Sequence, residues 1–305
     1  MKIYRDWKDL KLEQDTSATV GSFDGVHLGH QQLIRRLKEL ARHHRRLSTI
    51  VTFEPHPKIV LGKGTVQLIT DLEEKLEQFR QFQIDQVLVI PFTPEFARLD
   101  YETFVRDILL DRLRVRDLVI GYDHHFGRNR EGTFERLIDL GRRFGFSVER
   151  VGPVQIEGEV VSSSLIRQLL KEGQVEKAAT FLGRPYRLKG RIVEGDGRGK
   201  DIGFPTANIE PVDPHKIIPA RGVYAVDVIL GEQRYKGMMN IGYRPTFNNI
   251  ESLTSEVHIF NFQSLIYGKE VVILFKKFIR PEQKFSTIEA LKTQLRKDKE
   301  ICEKI

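Results

Sequence analysis

The stretch Gly21-Ser22-Phe23-Asp24-Gly25-Val26-His27-Leu28-Gly29-His30 begins inside the apolar run Ala18–Phe23 and leads into an amphipathic one at His30–His44. A strand that breaks on glycines and passes directly into a helix is the first strand-to-helix turn of an α/β sheet. Working outward, the same alternation repeats. Leu47–Phe53, Gln86–Pro91, Leu118–Gly121 and Ser147–Val151 are short β-branched or apolar runs and read as strands. Asp71–Phe82, Tyr101–Leu113, Glu131–Phe144, Ser163–Glu172 and Gln174–Leu182 carry helical periodicity. This pattern predicts a mostly parallel, doubly wound sheet whose ligands bind in the loops at the carboxyl ends of the strands.

Beyond Gly183-Arg184-Pro185 the period changes from helical to alternating. Tyr186–Val193, Gly222–Leu230, Arg234–Ile241, Glu256–Phe262 and Glu270–Phe278 read as strands, and one long helix remains at Thr287–Glu300. Short strands separated by Gly, Pro and Asn turns predict a small antiparallel β-barrel with a C-terminal helix. The domain boundary is set at 183–186, giving a first domain over 1–183 and a second over 184–305.

Bulk composition agrees with two folded domains. The 305 residues are 40% hydrophobic, enough for a core in each half. Residues 1–184 hold 29 basic and 27 acidic side chains and the remainder 20 and 15, so the net +7 is spread without a polybasic arm. The charge permits small anionic ligands and gives no expectation of a nucleic-acid partner. The single cysteine, Cys302, excludes an intrachain disulfide. The start, Met1-Lys2-Ile3-Tyr4-Arg5-Asp6-Trp7-Lys8, has no apolar core of a leader, and no run of about 18 uncharged apolar residues occurs. The expectation is a soluble, cytoplasmic protein with no membrane association.

The first turn carries the first chemistry. Gly21 and Gly29 let backbone approach a phosphate, the helix start offers unpaired N–H groups and a positive dipole end, and His27 and His30 add donors to the same anion. No nucleophile accompanies them. Histidines placed in this way can stabilise charge on an α-phosphate and a departing pyrophosphate, which fits nucleotidyl transfer with a metal ion sharing the charge. Three more loops fall where the sheet needs them: Phe53-Glu54-Pro55-His56-Pro57, Gly121-Tyr122-Asp123-His124-His125-Phe126-Gly127 and Ser162-Ser163-Ser164-Leu165-Ile166-Arg167. In the last, Ser163 and Ser164 open a helix and Arg167 brings a guanidinium to the same end, which suits a triphosphate tail.

The second constellation is Gly195-Asp196-Gly197-Arg198-Gly199-Lys200-Asp201-Ile202-Gly203-Phe204-Pro205-Thr206-Ala207-Asn208. It has neither Walker nor GxGxxG spacing, and no helix follows it. A flexible glycine turn explains its glycines but not its end. There Pro205 fixes the entry to a segment in which the Thr206 hydroxyl and the Asn208 amide can supply oxygen ligands to a hard cation such as Mg²⁺. Glu256 sits in Ser255-Glu256-Val257-His258-Ile259, where alternate positions are apolar, so its side chain points away from Val257 and Ile259. Such a carboxylate is an ordinary exposed strand residue or, facing the barrel mouth, a base for a substrate hydroxyl.

Taken together, these motifs resemble the bacterial bifunctional riboflavin kinase/FAD synthetase family over essentially the full length. The elements that carry the resemblance are Gly21–His30, Phe53–Pro57, Gly121–Gly127, Ser162–Arg167, Gly203–Asn208, Gly222-Val223-Tyr224, Glu256 and Ile279-Arg280-Pro281-Glu282. Two departures are visible: Ser164 stands where the family usually has threonine, and His124-His125 replaces its usual pair after Asp123. The resemblance implies a Rossmann-like nucleotidyltransferase domain followed by a riboflavin kinase barrel, with riboflavin, FMN and ATP as substrates and Mg²⁺ as cofactor. It implies that His27 and His30 stabilise adenylyl transfer, with Gly21, Phe23, Asp24, Gly29, Ser163, Ser164 and Arg167 around that ATP. Asp123 and Phe126 are expected near the flavin. In the kinase half it implies ATP at Gly195, Gly197 and Lys200, Mg²⁺ at Thr206 and Asn208, Glu256 as base, and Arg280 and Glu282 bordering the flavin. Two rivals are an HxGH nucleotidyltransferase acting on another small phosphate ester, which leaves the second half without a task, and an RNA-binding barrel, for which the chain offers no closely spaced aromatic platform.

Overall fold

A computed structural model describes residues 1–62, 66–122, 133–194, 202–245 and 251–305. The chain packs as two compact units, 1–66 with 70–162 and 67–69 with 163–305.

The first unit is a six-stranded parallel sheet. Its strands are β1 (Lys2–Tyr4), β2 (Thr16–Val20), β3 (Leu47–Glu54), β4 (Gln86–Pro91), β5 (Val115–Gly121) and β6 (Ser147–Val151), in the order β1-β4-β3-β2-β5-β6. All five residues of β2 are buried, as a central strand covered on both faces requires. One face packs Ala18, Val20, Val51 and Leu88 against Ile108, Leu109, Leu137 and Leu140. The other packs Ile50, Val87, Val89 and Val119 against Leu33, Ile34 and Leu37 of α1 (Leu28–His44) and Leu76 and Phe79. Strand order reverses direction at β2, so the crevice beyond its carboxyl end is where such sheets hold ligands.

Two expectations shift here, and one strand, β1, was not expected. The first strand ends at Val20, and Gly21–Phe23 already belong to the loop. The edge strand β1 is only three residues long, too short to show a period. The run expected as one helix over 101–113 is a single α-turn at Tyr101–Thr103 followed by a π-helix at Phe104–Leu110. Phe104, Val105, Ile108 and Leu109 are buried together, because the wider i→i+5 turn brings residues spaced by one, four and five onto one face.

Further along are α2 (Pro57–Val60), α3 (Leu72–Gln81), a short helix α4 formed by the turn Tyr101–Thr103, α5 (Phe134–Phe144) and the two-residue strands β7 (Gln155–Ile156) and β8 (Glu159–Val160). In the second unit, α6 (Ser163–Lys171) and α7 (Val175–Leu182) precede a closed antiparallel barrel. Its strands are β9 (Tyr186–Val193), β10 (Ala207–Pro211), β11 (Gly222–Leu230), β12 (Gln233–Pro245), β13 (Glu251–Ile259) and β14 (Glu270–Arg280), in the order β10-β13-β12-β11-β14-β9. Leu188, Tyr224, Val226, Met239, Ile241, Val257, Ile273 and Phe275 are buried on the faces that alternation turns inward. The C-terminal helix α8 (Ile288–Glu303) covers part of the outer wall, where Leu295 and Cys302 meet Ala225, Met238 and Phe260.

β10 was not expected, since Ala-Asn-Ile-Glu-Pro has little β-propensity of its own. It pairs with both β9 and β13 and so closes the barrel. The helices over 163–182 belong to the barrel's unit: the Glu176 carboxylate on α7 accepts from the Phe278 backbone N–H at 3.2 Å. The change of period at 183 marks where helices stop, whereas the change of packing partner comes at Ser162.

Candidate active sites

The first site lies in the crevice beyond β2. His27 caps α1, and its Nδ1 accepts from the His30 backbone N–H at 3.4 Å. That bond leaves Nδ1 without a hydrogen, so a neutral His27 carries its proton on Nε2. The two imidazoles stack with ring centres 3.7 Å apart. Gly29 gives the stack room, because a Cβ there would crowd the His27 ring at 3.2 Å. His30 rests against the Phe23 ring at 5.2 Å, and its Nδ1 is enclosed without a hydrogen-bond partner. Burial first, then the charges of His27 and Lys75, hold His30 well below the ordinary imidazole range. Buried polar atoms are nearly always hydrogen-bonded, so this ring nitrogen at a helix start is an exception in the fold.

The loop that presents these rings is strained and well braced. Phe23 and Val26 have φ of 50° and 39°, in the left-handed region that a β-branched residue avoids. Gly25 donates to Thr70 Oγ1 at 2.8 Å, and the Thr70 N–H donates to the buried Asp24 carboxylate at 3.0 Å. Gln31 Nε2 donates to the Val26 carbonyl at 3.0 Å. Gly21 gives room to the Phe23 ring, 3.1 Å from where its Cβ would be. Thus Gly21, Phe23, Asp24, His27, Gly29 and His30 are gathered in one place. Asp24 braces the loop through Thr70, a structural task the sequence does not display.

Ser163, Ser164 and Arg167 stand on the first turns of α6 in the second unit, where Arg167 Nε donates to the Gln67 carbonyl at 2.8 Å. Asp123 and Phe126, with His124 and His125, lie outside the described residues, as do Gly195, Gly197 and Lys200.

The second site is on the outer wall of the barrel. Asn208 on β10 is directly across from Glu256 on β13, and Glu256 is directly across from Asn240 on β12. Opposed residues share a face, so the three form one row across three strands. Thr206 Oγ1 donates to Glu256 Oε2 at 3.1 Å from the incoming loop. Glu256 is in mid-strand and points away from buried Val257 and Ile259, as alternation requires, but onto the outer wall under that loop and not into the barrel mouth. His258, on the same face, donates Nδ1–H to the Pro205 carbonyl at 2.8 Å, and Phe204 packs edge-on against its ring. Residues 50 apart in sequence are thereby joined into a hydroxyl, amide and carboxylate group.

Of the two residues expected to border the flavin, only Glu282 is placed at this wall. The Arg280 guanidinium is held by both oxygens of Asp298 on α8, at 2.7–3.0 Å, with Asp298 buried. The Glu282 carboxylate lies on Gly242, two residues beyond Asn240 on the same face of β12, where a Cβ would overlap it. His258, Asn240, Asp298 and Lys75 were not singled out from sequence. His258 could have been, because it shares the Glu256 face by the period of two. Lys75 could also have been, as a cation inside the buried stripe Leu76–Phe79 of α3.

The FAD synthetase family matches residues 9–165 and the riboflavin kinase family matches residues 182–305. A bifunctional riboflavin kinase/FMN adenylyltransferase of Listeria monocytogenes is 38% identical over 97% of this chain and 92% of its own length. Those of Escherichia coli and Bacillus subtilis are 37% and 39% identical over 98% and 95% of the chain and 96% and 93% of theirs. A solved structure from Streptococcus pneumoniae, described as a macrolide-efflux protein, superposes with a TM-score of 0.89 at 32% identity, covering 99% of this chain and 98% of that one. Among the described residues, no helix of this chain is long and apolar enough to cross a membrane. With both halves matched in order by the two families and by relatives along the full length, the chain belongs to the bifunctional riboflavin kinase/FMN adenylyltransferase family.

Proposed function

We propose that this chain makes flavin cofactors in two steps, phosphorylating riboflavin to FMN in the barrel and joining FMN to AMP in the sheet domain. The reading assigns the two activities to residues 184–305 and 1–183. The observation that carries it is the Thr206–Glu256 contact within the Asn208–Glu256–Asn240 row, because it sets a carboxylate beside a hydroxyl and an amide on the barrel's outer wall.

In the kinase step Glu256 takes the proton of the ribityl 5′-hydroxyl, the freed oxygen forms a bond to the γ-phosphorus of ATP, and the bond to ADP breaks. His258 and Pro205 hold Thr206 in place for this. Mg²⁺, when bound, neutralises phosphate charge. Thr206 and Asn208 fit it: they bring a hydroxyl and an amide oxygen beside the Glu256 carboxylate, and Mg²⁺ takes most of its ligands from phosphate and water beside a few protein oxygens. In the adenylyl step a phosphate oxygen of FMN bonds to the α-phosphorus of a second ATP and pyrophosphate leaves. His27 Nε2 and His30 supply preorganised donors to the charge that develops there, with Ser163, Ser164 and Arg167 on the triphosphate tail. Arg280 and Glu282 border the flavin in the kinase, and the cytoplasm, where ATP is plentiful, is the place of action.

Incubating the purified chain with riboflavin, Mg²⁺ and labelled ATP, and resolving the products, tests this. FMN should appear first and FAD after it. Absence of FMN overturns the kinase assignment, and FMN without FAD overturns the adenylyl assignment.

A further inference from the structure

The helix α8 buries one charged side chain, Asp298. Its carboxylate accepts four hydrogen bonds. Arg280, the last residue of β14, donates from Nε to both oxygens at 3.0 Å and from Nη2 to Oδ2 at 2.7 Å, and Gln294 Nε2 donates to Oδ1 at 2.8 Å. The helix is already docked by apolar contact, through Leu295 and Cys302 against Ala225, Met238 and Phe260. A buried ion pair seldom adds net stability over apolar side chains of the same volume, and its best-attested use is to select one arrangement.

The arrangement selected here leads to the kinase wall. Arg280 Nη1 donates to the Pro281 carbonyl at 3.0 Å, so the guanidinium that Asp298 orients also holds the peptide bond running into Glu282. The Glu282 carboxylate lies on Gly242, where a Cβ would overlap it. Gly242 is two residues beyond Asn240 on β12 and directly across from Thr254, itself two residues before Glu256 on β13. Residues two apart on a strand are separated by about 7 Å, so Glu282 stands one step along the wall from the Asn240–Glu256 row.

We propose that Asp298 is a positioning residue for riboflavin phosphorylation: by locking the Arg280 fork it fixes the Pro281–Glu282 peptide, and with it the place where the Glu282 carboxylate meets the flavin substrate. The proposal rests on the kinase reading of the Glu256 wall. Its signature is in riboflavin binding and not in proton transfer, because the bonds of the pair do not reach Thr206, Asn208 or Glu256.

The test uses full-length Asp298→Asn and Arg280→Lys, each alone and combined with Glu282→Ala, beside Glu282→Ala and the parent chain. Riboflavin KM, ATP KM and kcat for FMN formation are read, with thermal unfolding as the control on folding. Asn keeps the size of Asp298 without its charge, and Lys keeps the charge of Arg280 without its fork. Asp298→Asn should raise the riboflavin KM roughly tenfold, the lower range for a hydrogen bond to a charged group, with ATP KM and kcat within about twofold of the parent. Arg280→Lys should raise it in the same direction. With Glu282→Ala already present, Asp298→Asn should add less than about twofold, because the carboxylate it positions is gone. An equal rise in riboflavin KM with and without Glu282 overturns the proposal, as does a joint loss in kcat and both KM values, since either marks Asp298 as packing alone. Unchanged riboflavin KM in both single variants overturns it as well. Should Asp298→Asn be unfolded at the assay temperature, Arg280→Lys with and without Glu282→Ala carries the same comparison. A parent chain that makes no FMN fails the kinase reading itself and takes the proposal with it, whereas normal FMN formation without the coupling to Glu282 overturns the proposal alone.

Discussion

His258 is the residue through which the kinase site can be disturbed without touching a reacting group. Its Nδ1–H donates to the Pro205 carbonyl at 2.8 Å, and its ring packs 5.4 Å from Phe204 and 5.6 Å from Phe260. His258→Phe keeps the ring but leaves that carbonyl without its donor, a loss of about 1–3 kcal/mol in a buried setting. The consequence for activity is geometric. Thr206, the next residue, reaches Glu256 across 3.1 Å, so a loop shift of about 1 Å breaks the contact, and misplacement on that scale costs about 10²-fold in rate. We expect kcat for riboflavin to FMN to fall roughly 10–100-fold while conversion of supplied FMN to FAD is unchanged. A pH signature accompanies this. Burial first, and then the charge of Lys299, hold His258 below the ordinary imidazole range against the opposing bond to Pro205. Its folded pKa therefore lies below its unfolded value of about 6.5, so on acidification through that value the unfolded chain takes up a proton that the folded state refuses, and stability falls. Above that value the group contributes nothing. Thermal unfolding at about pH 7.5 and pH 5 should show a smaller acid-induced loss in His258→Phe than in the parent. A kcat within twofold of the parent refutes the claim that His258 positions Thr206.

Gly242→Ala places a Cβ 1.8 Å from the present position of Glu282 Oε1, so the carboxylate must leave. The riboflavin KM should rise about tenfold, the lower range for a hydrogen bond to a charged group, and Glu282→Ala combined with it should add nothing further, as steady-state kinetics on the double-mutant cycle will show. At the opposite end of the sheet, burial pushes the Asp117 carboxyl up, but bonds from Ser17, Arg46, His44 and Ser147 outweigh it and bring it from 3.8 to about 2. A depressed carboxyl contributes stability above its unfolded pKa, here about 2 kcal/mol, which is lost as pH falls from about 4 to about 2. Asp117→Asn should therefore be less stable by about that amount at neutral pH, with the difference vanishing near pH 2 in acid-unfolding curves.

Fold and site were legible where local chemistry and tertiary role coincide. The glycine-rich turn after β2 declares itself because close packing demands a residue without a side chain at Gly21 and a left-handed backbone favours one at Gly25. The Glu256 orientation followed from a period of two, although the face it occupies is the barrel's outer wall. β10 was invisible because its stability comes from two neighbours far away in sequence and not from Ala-Asn-Ile-Glu-Pro itself. The π-turn at Phe104–Leu110 was hidden for a related reason: the sheet selects which residues face it. Asp298 gives no signal in an otherwise polar helix, and only the partner Arg280, brought from β14, explains its burial. Asp24 and Arg280 read as ligand contacts in sequence, while the structure gives both bracing partners, Thr70 and Asp298.

The central claim is that one chain carries two sites with separate chemistry, and Glu256→Gln given two substrates tests it most directly. The amide keeps the size of the side chain and can still meet Thr206, but it cannot take a proton from the 5′-hydroxyl. With riboflavin and ATP, FMN formation should fall about 10²–10⁴-fold, the contribution of a general base. With FMN and ATP, FAD should form at the parent rate. Near-normal FMN production from riboflavin, or equal loss of both reactions in a folded variant, would contradict the account.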